Sequence, residues 1–518
     1  EKLKKMMKEN ARKLLQYDEM FLFLCLLVTC VYSEPIEQPS AYDLYPPTIV
    51  GHLPVVVDHF RYSLPVRTFD IQYLGTDVFA SAGRKSPVLM YCGNEGEIED
   101  FYNATGGMFE LAEEIGAYVI FVEHRYYGDS LPFGNESFTN ENLVYLSIEQ
   151  ALADFSVVIS SFPDILGCQG SQASDALCDV ILFGGSYGGM LAAWHRLKYP
   201  HLSTGAIASG APIDFYPGTE IQTSFYNAFI ATFQDYGGIT DCGIQLDNAL
   251  KIVSNSSISD LEAAGVLPCG GFDVSNTNNI VEQFTFYAAG AVSSLAMVDY
   301  PYPCGFMSPL PANPVQYACE LLSGSDDSDV DVIRSLLQVV LFYVNGTKDL
   351  PCLDLDSELV GHSNSQMKKK PQSTDLGVIS WNYQACTELL MEPITSDGYG
   401  FYPPGNPKQS NEIAQQCAKL FNVEPRPYWM PKAFGRGSYY SSTNGLSNVL
   451  FIENSKDPWH VGTSTVTNGG VDGSVVRFLA QGGAHHQDLR FSSEYDAIDV
   501  HRARELALST VKQWLNLS

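Results

Sequence analysis

The sequence predicts an α/β fold built on a mostly parallel central sheet. Three short, continuous apolar runs at 86–92, 117–122 and 179–183 are bounded by Gly or charged residues, which is typical of strands that are buried on both faces. Segments of helical length at 108–115 and 147–162 separate these runs. The alternation predicts consecutive βαβ units, and strands connected in this way run parallel.

The same pattern returns near the end of the chain. Further strands are predicted at 204–208, 448–452 and 474–480, and a closing amphipathic helix at 499–515. At 518 residues, the chain also exceeds the size of roughly 250–300 residues at which a single core stops growing. We therefore expect more than one structural unit.

The middle of the chain has a different pattern. Longer segments with helical spacing, interrupted by Pro- and Gly-rich loops, lie at 223–233, 280–298 and 330–341. This predicts a mostly helical insertion at 211–438 between two parts of the sheet domain, 34–210 and 439–518. Ligands of open α/β sheets bind at the carboxyl ends of the strands, where such an insertion would form a cap.

Charge and the N-terminal segment indicate where the protein works. The 30 Lys and Arg against 59 Asp and Glu give a net charge of −29, which excludes nucleic-acid binding through phosphate neutralisation and argues against docking on anionic lipid. Residues 1–33 combine a basic stretch, an apolar run and a Val-Tyr-Ser end, as in a secretory signal. A buried core helix is the rival interpretation of the run, which is shorter than the ~20 residues of a membrane span.

Cysteines of an exported protein enter an oxidising compartment, in which disulfides form. Ten of the twelve cysteines lie after residue 33. Cys168 and Cys178 flank a short polar loop and are expected to form a local disulfide, whereas Cys92 lies in an apolar strand and is expected to be a buried free thiol. Five Asn-x-Ser/Thr sequons agree with this compartment. They are Asn103, Asn135, Asn255, Asn345 and Asn516.

A candidate nucleophile follows the strand at 179–183. Ser186 lies in the motif Gly-Gly-Ser-Tyr-Gly-Gly at 184–189, directly before a predicted helix at 190–199. The bare G-x-S-x-G arises often by chance, but a nucleophile elbow needs this strand-to-helix turn, in which glycines let the two elements approach. A Gly-rich turn without chemistry is the rival interpretation.

An activated serine needs a base and an acid, which in α/β-hydrolases follow in the order Ser, Asp, His on later loops. Asp457 comes just after the predicted strand 448–452, whereas its rival Asp472 lies in a short turn before the next strand. His485 and His486 follow that strand on a Gly-rich loop. Spacing does not decide between adjacent loop residues, and we choose His485.

These residues predict acyl transfer. His485 would take the proton of Ser186 as its Oγ attacks a carbonyl carbon, and Asp457 would hold the imidazole and stabilise its charged form. The oxyanion would be bound by the backbone N–H groups of Tyr187 and of Asn94, in the Gly-Asn-Glu-Gly loop after an early strand. The alternative interpretation of that loop is a tight turn without a catalytic role. The mechanism requires no cofactor and no metal.

Further motifs surround the predicted triad along nearly the whole chain. They are GNEG at 93–96, EHRYYG at 123–128, SLPFG at 130–134, EQALAD at 149–154, GGSYGG at 184–189, YPY at 300–302, PLP at 309–311, QACTE at 384–388, DPW at 457–459 and GAHH at 483–486. Together they resemble the family of lysosomal Pro-Xaa carboxypeptidase and dipeptidyl peptidase II, serine exopeptidases of the α/β-hydrolase fold that cleave after proline.

The resemblance has structural implications. It implies a helical cap, a homodimer, and an apolar pocket in which Met190, Met391 and Trp459 hold the proline ring, although buried Met and Trp are most often plain core. It also implies the disulfides Cys242–Cys319, Cys269–Cys352 and Cys386–Cys417. Cys92 and Cys304 would remain free thiols.

The function predicted is that of a serine exopeptidase in the lysosome or vacuole, or outside the cell, acting on peptides with proline near a terminus. The carboxypeptidase and the dipeptidyl peptidase of this family share the motifs named above. The chain could therefore be a Pro-Xaa carboxypeptidase or an aminodipeptidase, and Asp129 slightly favours the carboxypeptidase. A lipase or esterase would have the same elbow and a different pocket. An inactive hydrolase-like binding protein is the remaining alternative, against which the intact triad argues.

Overall fold

A computed structural model gives the structure of most of the chain. It describes residues 38–62, 64–80, 86–168, 178–215, 221–234, 241–269, 277–306, 309–323, 328–345, 352–353, 377–389, 414–415, 417–426, 428–442 and 445–517. The predicted signal segment 1–33, Met391 and the side chain of Asn345 lie outside the described part.

An eight-stranded sheet forms the centre of the molecule. Its strands are β1 (Ile49–Val56), β2 (Thr68–Thr76), β3 (Val88–Cys92), β4 (Tyr118–Val122), β5 (Val180–Gly185), β6 (Gly205–Ser209), β7 (Val449–Asn454) and β8 (Val475–Ala480). The spatial order is β1-β2-β4-β3-β5-β6-β7-β8. β2 pairs antiparallel with both β1 and β4, and all other neighbours are parallel.

Strands β3 to β8 confirm the six predicted strands, whereas β1 and β2 were not predicted. Every residue of β3, β5, β6 and β7 is buried, and these sequences are apolar or small except for Glu453 and Asn454 at the end of β7. β1 alternates between exposed and less exposed residues along most of its length. β2 carries Asp70 and Gln72. The two strands thus lack the apolar run that marks a strand covered on both faces.

The helices follow the strands on both faces of the sheet and continue between β6 and β7. They are α1 (Ala41–Leu44), α2 (Ile98–Ala104), α3 (Gly106–Ile115), α4 (Asn140–Leu143), α5 (Ile148–Leu166), α6 (Tyr187–Lys198), α7 (Ile221–Gln234), α8 (Cys242–Ser254), α9 (Ile258–Ala264), α10 (Thr277–Met297), α11 (Pro314–Leu322), α12 (Asp329–Asn345), α13 (Val378–Thr387), α14 (Trp429–Ala433), α15 (Gly437–Tyr440) and α16 (Ile498–Trp514). Among these described elements, no helix has the length and hydropathy that a membrane span requires.

Two cores cover the sheet. Helices α5 and α6 bury their apolar side chains on one face, and α2, α3 and α16 bury theirs on the other. This arrangement, with the strand order and a Ser at the β5-to-α6 turn, is the α/β-hydrolase fold. The predicted fold class is confirmed.

The helices between β6 and β7 belong to more than one core. Apolar residues of α7 to α12 share a third core, which Val461 and Ala484 from the segments after β7 and β8 also join. By contrast, Tyr383 and Cys386 of α13 pack with Tyr126 and Leu143 of the segment after β4, and Met430 joins the core of the sheet face that carries α5. The part of the chain around α13 and α14 therefore lies against the sheet domain. The boundaries 211–438 stay a prediction.

Within the described residues four disulfides connect the chain, in the pairs that were expected. They are Cys168–Cys178, Cys242–Cys319, Cys269–Cys352 and Cys386–Cys417. Cys92 is a buried free thiol, whose pKa burial raises, and Cys304 is free and partly exposed. Four sequon asparagines, Asn103, Asn135, Asn255 and Asn516, are exposed, as glycosylation requires.

Candidate active site

Ser186 occupies a strained turn between β5 and α6. Its φ of 55° and ψ of −126° are unusual for a residue with a side chain. Two backbone hydrogen bonds hold the turn: the Ser186 N–H donates to the carbonyl of Ser209 (2.9 Å), and its carbonyl accepts from the N–H of Met190 (3.1 Å). Ser186 lines a cavity at the carboxyl ends of the strands. This is the backbone geometry of a nucleophile elbow.

The glycines of the elbow allow the strand and the helix to approach. A Cβ on Gly184 would lie 2.1 Å from the carbonyl carbon and oxygen of Gly188, which are backbone atoms. A Cβ on Gly185 would meet the ring of His486 at 3.0 Å. The first contact cannot be relieved without moving α6, whereas the second needs a small shift of one ring.

Gly184→Ala and Gly185→Ala are therefore a matched pair. Overpacking typically costs ~1–3 kcal/mol and occasionally more, and we expect Gly184→Ala to exceed this range or to prevent folding. Gly185→Ala should destabilise much less. Urea unfolding of both purified variants measures the difference. Equal losses would contradict the assignment of the tight backbone contact to Gly184.

Asp457 and His485 form a buried pair beside this turn. Asp457 follows the end of β7, and His485 follows the end of β8. His485 Nδ1 lies 2.6 Å from Asp457 Oδ2, and the Trp459 N–H donates to Oδ1 at 3.0 Å. Both side chains are almost fully buried. Parallel neighbours end at the same edge, so residues far apart in sequence meet there. The rival Asp472 is exposed in the turn before β8.

The two adjacent histidines have different surroundings. The His486 ring lies against Phe306 (5.4 Å between ring centroids) and against Gly185, and burial lowers its pKa well below 6.5. His485 is held through its backbone: its N–H donates to the carbonyl of Met297 (2.8 Å), and its carbonyl accepts from the Tyr300 hydroxyl (2.8 Å). Of the two, His485 is the one whose ring contacts a carboxylate in the described structure.

A cavity of about 230 Å³ contains the predicted site. Of the predicted residues, Asn94, Ser186, Tyr187, Met190, Trp459 and His485 line it. Sequence reasoning missed other lining residues, among them Glu95, Phe101, Pro212, Phe225, Ser293, Ser294, Met297, Phe306 and Trp381. Three of these lie within about one turn of α10, which was predicted as a helix. The sequence contains no signal for which turn of that helix faces the sheet.

One wall of the cavity is apolar and rigid. Trp459 packs edge-on against Phe225 and Phe215, with ring centroids 4.6 and 5.0 Å away. Met190 lies one turn after Ser186 on α6 and lines the same cavity. Flat aromatic and flexible thioether side chains beside a nucleophile suit a small apolar ring of a substrate.

The predicted oxyanion residues are fixed by buried hydrogen bonds. The Tyr187 hydroxyl accepts from Gln384 Nε2 (2.8 Å) and lies 3.1 Å from His124 Nε2. Asn94 is buried, and its Oδ1 accepts from the Tyr91 hydroxyl (3.2 Å). These contacts hold the start of α6 and the loop after β3 in place. The oxyanion role of the two backbones stays a prediction.

Several carboxyls of the described structure are buried, among them those of Glu123, Glu388 and Glu453. Burial raises the pKa of Glu123 to about 8, and raises those of Glu388 and Glu453 well above 4.5. Burial also lowers the pKa of His124 to about 4 and that of His195 to about 3. We therefore expect the folded protein to retain carboxyl protons that the unfolded chain has lost by neutral pH.

The free energy of unfolding should fall between pH 6.5 and pH 8. In this window unfolded carboxyls are already deprotonated, whereas the folded protein still binds protons on buried carboxyls, so stability decreases as pH rises. Unfolded histidines are about half protonated near pH 6.5, whereas the buried histidines of the folded protein are neutral, so they oppose this trend most strongly at and below that pH. Each protonated carboxyl contributes about 1.4 kcal/mol per pH unit. Urea unfolding at both pH values measures the slope.

Glu453→Gln should reduce that slope, since the neutral amide has no proton to lose. Asp472→Asn, at an exposed carboxylate, is the matched control and should leave the slope unchanged. A stability that rises from pH 6.5 to pH 8, or an unaltered slope in Glu453→Gln, would show that these carboxyls are ionised in the folded protein.

Comparison with known proteins identifies the family. The sequence model of the serine carboxypeptidase S28 family matches residues 56–507, most of the chain. The chain belongs to the serine carboxypeptidase S28 family. It is therefore a serine-type exopeptidase, as predicted. The predicted resemblance is confirmed as well.

Several curated S28 relatives are similar over most of their length. Lysosomal Pro-X carboxypeptidase of Bos taurus is 34% identical over 89% of this chain and 86% of the relative. Prolyl carboxy peptidase like protein 5 of Caenorhabditis elegans is 35% identical over 90% of this chain and 89% of the relative. Thymus-specific serine protease of Mus musculus is 29% identical over 87% of this chain and 84% of the relative. Among solved structures, proline iminopeptidase of Mycobacterium smegmatis aligns over 90% of this chain and 99% of that chain, with 10% identity and a TM-score of 0.37.

Proposed function

We propose that this S28 member is a carboxypeptidase that hydrolyses the bond between proline and a C-terminal residue, with Ser186, His485 and Asp457 as its catalytic triad. The observation that carries the proposal is the 2.6 Å contact of His485 with Asp457 beside a serine with positive φ, at one apolar cavity. The Pro-X carboxypeptidase relatives support the choice of bond.

The reaction has two steps. His485 Nε2 takes the Ser186 proton as Oγ attacks the proline carbonyl carbon, and the oxyanion accepts hydrogen bonds from the Tyr187 and Asn94 backbone N–H groups. The imidazolium then protonates the leaving amine as the C–N bond breaks. Water attacks the acyl-enzyme in the same way, returning its proton through His485 to Ser186. Asp457 holds the imidazole through Nδ1 in both steps.

The proline ring would bind against Met190 and Trp459. Trp459 is held edge-on by Phe215 and Phe225, so it offers a fixed flat surface. A rigid apolar wall loses little entropy on binding and favours a ring over an extended polar side chain. The third expected pocket residue, Met391, remains part of the proposal on the resemblance alone.

The proposal extends to compartment and assembly. A lysosomal or secreted location is supported by the acidic composition, the signal-like segment 1–33, the four disulfides and the lysosomal relatives. The resemblance also supports a homodimer and a cap formed by the insertion 211–438. Light scattering of the purified protein measures the oligomeric state.

A set of four substrates tests the proposal near pH 5. An N-terminally blocked tripeptide ending in Pro-Phe should release phenylalanine, and its Ala-Phe counterpart should react far more slowly. A dipeptidyl amide with proline second and a free amine reports aminodipeptidase activity, and a short acyl ester reports esterase activity. Turnover of the amide or ester without release of phenylalanine would overturn the proposal.

A further inference from the structure

Asp488 is a buried carboxyl that the proposed mechanism does not use. It lies in the short turn at 487–489, three residues after His485, and its side chain is almost fully buried. It does not line the catalytic cavity but a separate one, between the sheet and the helices α3 and α16. An effect of Asp488 on the reaction must therefore pass through other residues.

One oxygen of Asp488 joins the ends of two neighbouring strands. Asp488 Oδ1 accepts hydrogen bonds from the Ser209 hydroxyl at 2.7 Å and from Asn454 Nδ2 at 2.9 Å. Ser209 ends β6 and Asn454 ends β7, and both are fully buried. A buried donor without an acceptor loses the hydrogen bonds that it made with water. The Asp488 oxygen supplies the acceptor to both strands at once.

The bridge lies beyond the last paired residues of β6 and β7. Their register pairs end with Ser209 and Ile452, whereas β7 continues to Asn454. One more backbone hydrogen bond follows, from the Gly210 N–H to the Ile452 carbonyl at 2.8 Å. The contacts of Asp488 therefore fix the two strand ends relative to each other where the ladder between them has ended.

Each of these strand ends holds a residue of the proposed triad. The Ser209 carbonyl accepts from the N–H of Ser186 at 2.9 Å. The Asn454 carbonyl accepts from the N–H of Asp457 at 3.1 Å. Ser209 and Asn454 thus bind Asp488 through their side chains and a triad residue through their backbones.

The turn that contains Asp488 is joined to the loop of the base. Gln487 donates its N–H to the Ala484 carbonyl (3.1 Å), and its Oε1 accepts from the Ala484 N–H (2.9 Å), directly before His485. Arg504 of α16 donates to the carbonyls of Gln487 (2.8 Å) and Asp488 (3.2 Å). These contacts hold the backbone of the turn without the Asp488 carboxyl, so the turn should stay folded when that carboxyl is removed.

Resting on the proposed triad, we propose that Asp488 is a positioning residue. Its carboxyl oxygen links the elbow of Ser186 and the loop of Asp457 to the loop that carries His485, and so keeps the three side chains aligned. A displacement of about 1 Å in a catalytic group can cost ~10²-fold in rate. The link needs an acceptor oxygen and no contact with the substrate.

Two variants of Asp488 test this role. Asp488→Ala should lower kcat for the Pro-Phe peptide by about 10–100-fold and leave KM nearly unchanged, because residue 488 does not line the catalytic cavity. Asp488→Asn should retain most of kcat, since its carbonyl oxygen can accept from both Ser209 and Asn454. A fluorophosphonate counts the active sites, and its rate of reaction with Ser186, which requires no particular peptide bond, should fall in parallel with kcat.

Ser209→Ala tests the link from its other end. This variant loses one donor to Asp488 and keeps the backbone carbonyl that holds Ser186. It should lower kcat by about 3–10-fold, as expected for the loss of one hydrogen bond, and have no further effect when combined with Asp488→Ala. Additive losses would overturn the inference, because the two residues would then act separately. If Asp488→Ala does not fold, an unaltered kcat in Ser209→Ala overturns it.

Val511→Ala is the control for a general loss of stability. Val511 of α16 is fully buried in the core on the same face of the sheet, so its truncation should reduce stability and leave kcat per active site as in the wild type. An equal loss of kcat in this variant would mean that Asp488 acts only through stability.

The inference also fails if folded Asp488→Ala keeps the wild-type kcat and labelling rate, or if Asp488→Asn loses as much as Asp488→Ala. A wild type that is labelled at Ser186 without cleaving the Pro-Phe peptide would contradict the proposed bond, and the labelling rates of the variants would still decide the role of Asp488. If Ser186 is not labelled, the proposed triad fails, and the inference with it.

Discussion

Ser186→Ala should lower kcat for the Pro-Phe peptide by about 10⁶-fold, the loss that follows removal of the nucleophile in a serine protease. Without Oγ no acyl-enzyme can form, and the remaining oxyanion donors and substrate contacts support only slow attack by water. Because Ser186 lies in a preformed turn held by backbone hydrogen bonds, the shorter side chain should leave the fold intact. Steady-state kinetics and thermal unfolding measure both effects.

The control for Ser186→Ala is Ser160→Ala. Ser160 is an exposed serine of α5 whose hydroxyl donates to a carbonyl of its own helix, so it should retain wild-type kinetics. A fluorophosphonate should label wild type and Ser160→Ala but not Ser186→Ala. Substantial residual turnover in a folded Ser186→Ala protein would mean that another group is the nucleophile.

His485→Ala should be almost as damaging, with kcat reduced by up to about 10⁶-fold. The ring that contacts Asp457 would be absent, so nothing would accept the Ser186 proton or donate one to the leaving amine. Added imidazole should restore part of the activity if it occupies the vacated space. Measurement of kcat with and without imidazole separates loss of a base from loss of structure.

His486→Ala is the matched variant, one residue along the same loop. Its ring packs on Phe306 and Gly185, so its removal should leave most of kcat and reduce stability through the space it creates. If His486→Ala lost as much kcat as His485→Ala, or if imidazole rescued it instead, the assignment of the base would have to be reversed.

The resemblance to the family predicted two disulfide pairs that the spacing of the cysteines could not predict. The pairs Cys242–Cys319 and Cys269–Cys352 join residues more than seventy positions apart, and no local pattern indicates which cysteines meet. The structure contains both pairs. Cys168–Cys178 spans ten positions and could be expected from the loop alone, because a short loop keeps its ends close.

The sequence by itself determined the buried strands, the elbow around Ser186 and the order of the candidate Asp and His, because these depend on local periodicity and on residues next to each other in the chain. Only the tertiary structure decided that the His485 ring, rather than that of His486, contacts Asp457. It also brought Trp381 and the last turns of α10 to the cavity. Contacts of this kind depend on how distant elements pack, and packing leaves no periodic signal in the chain.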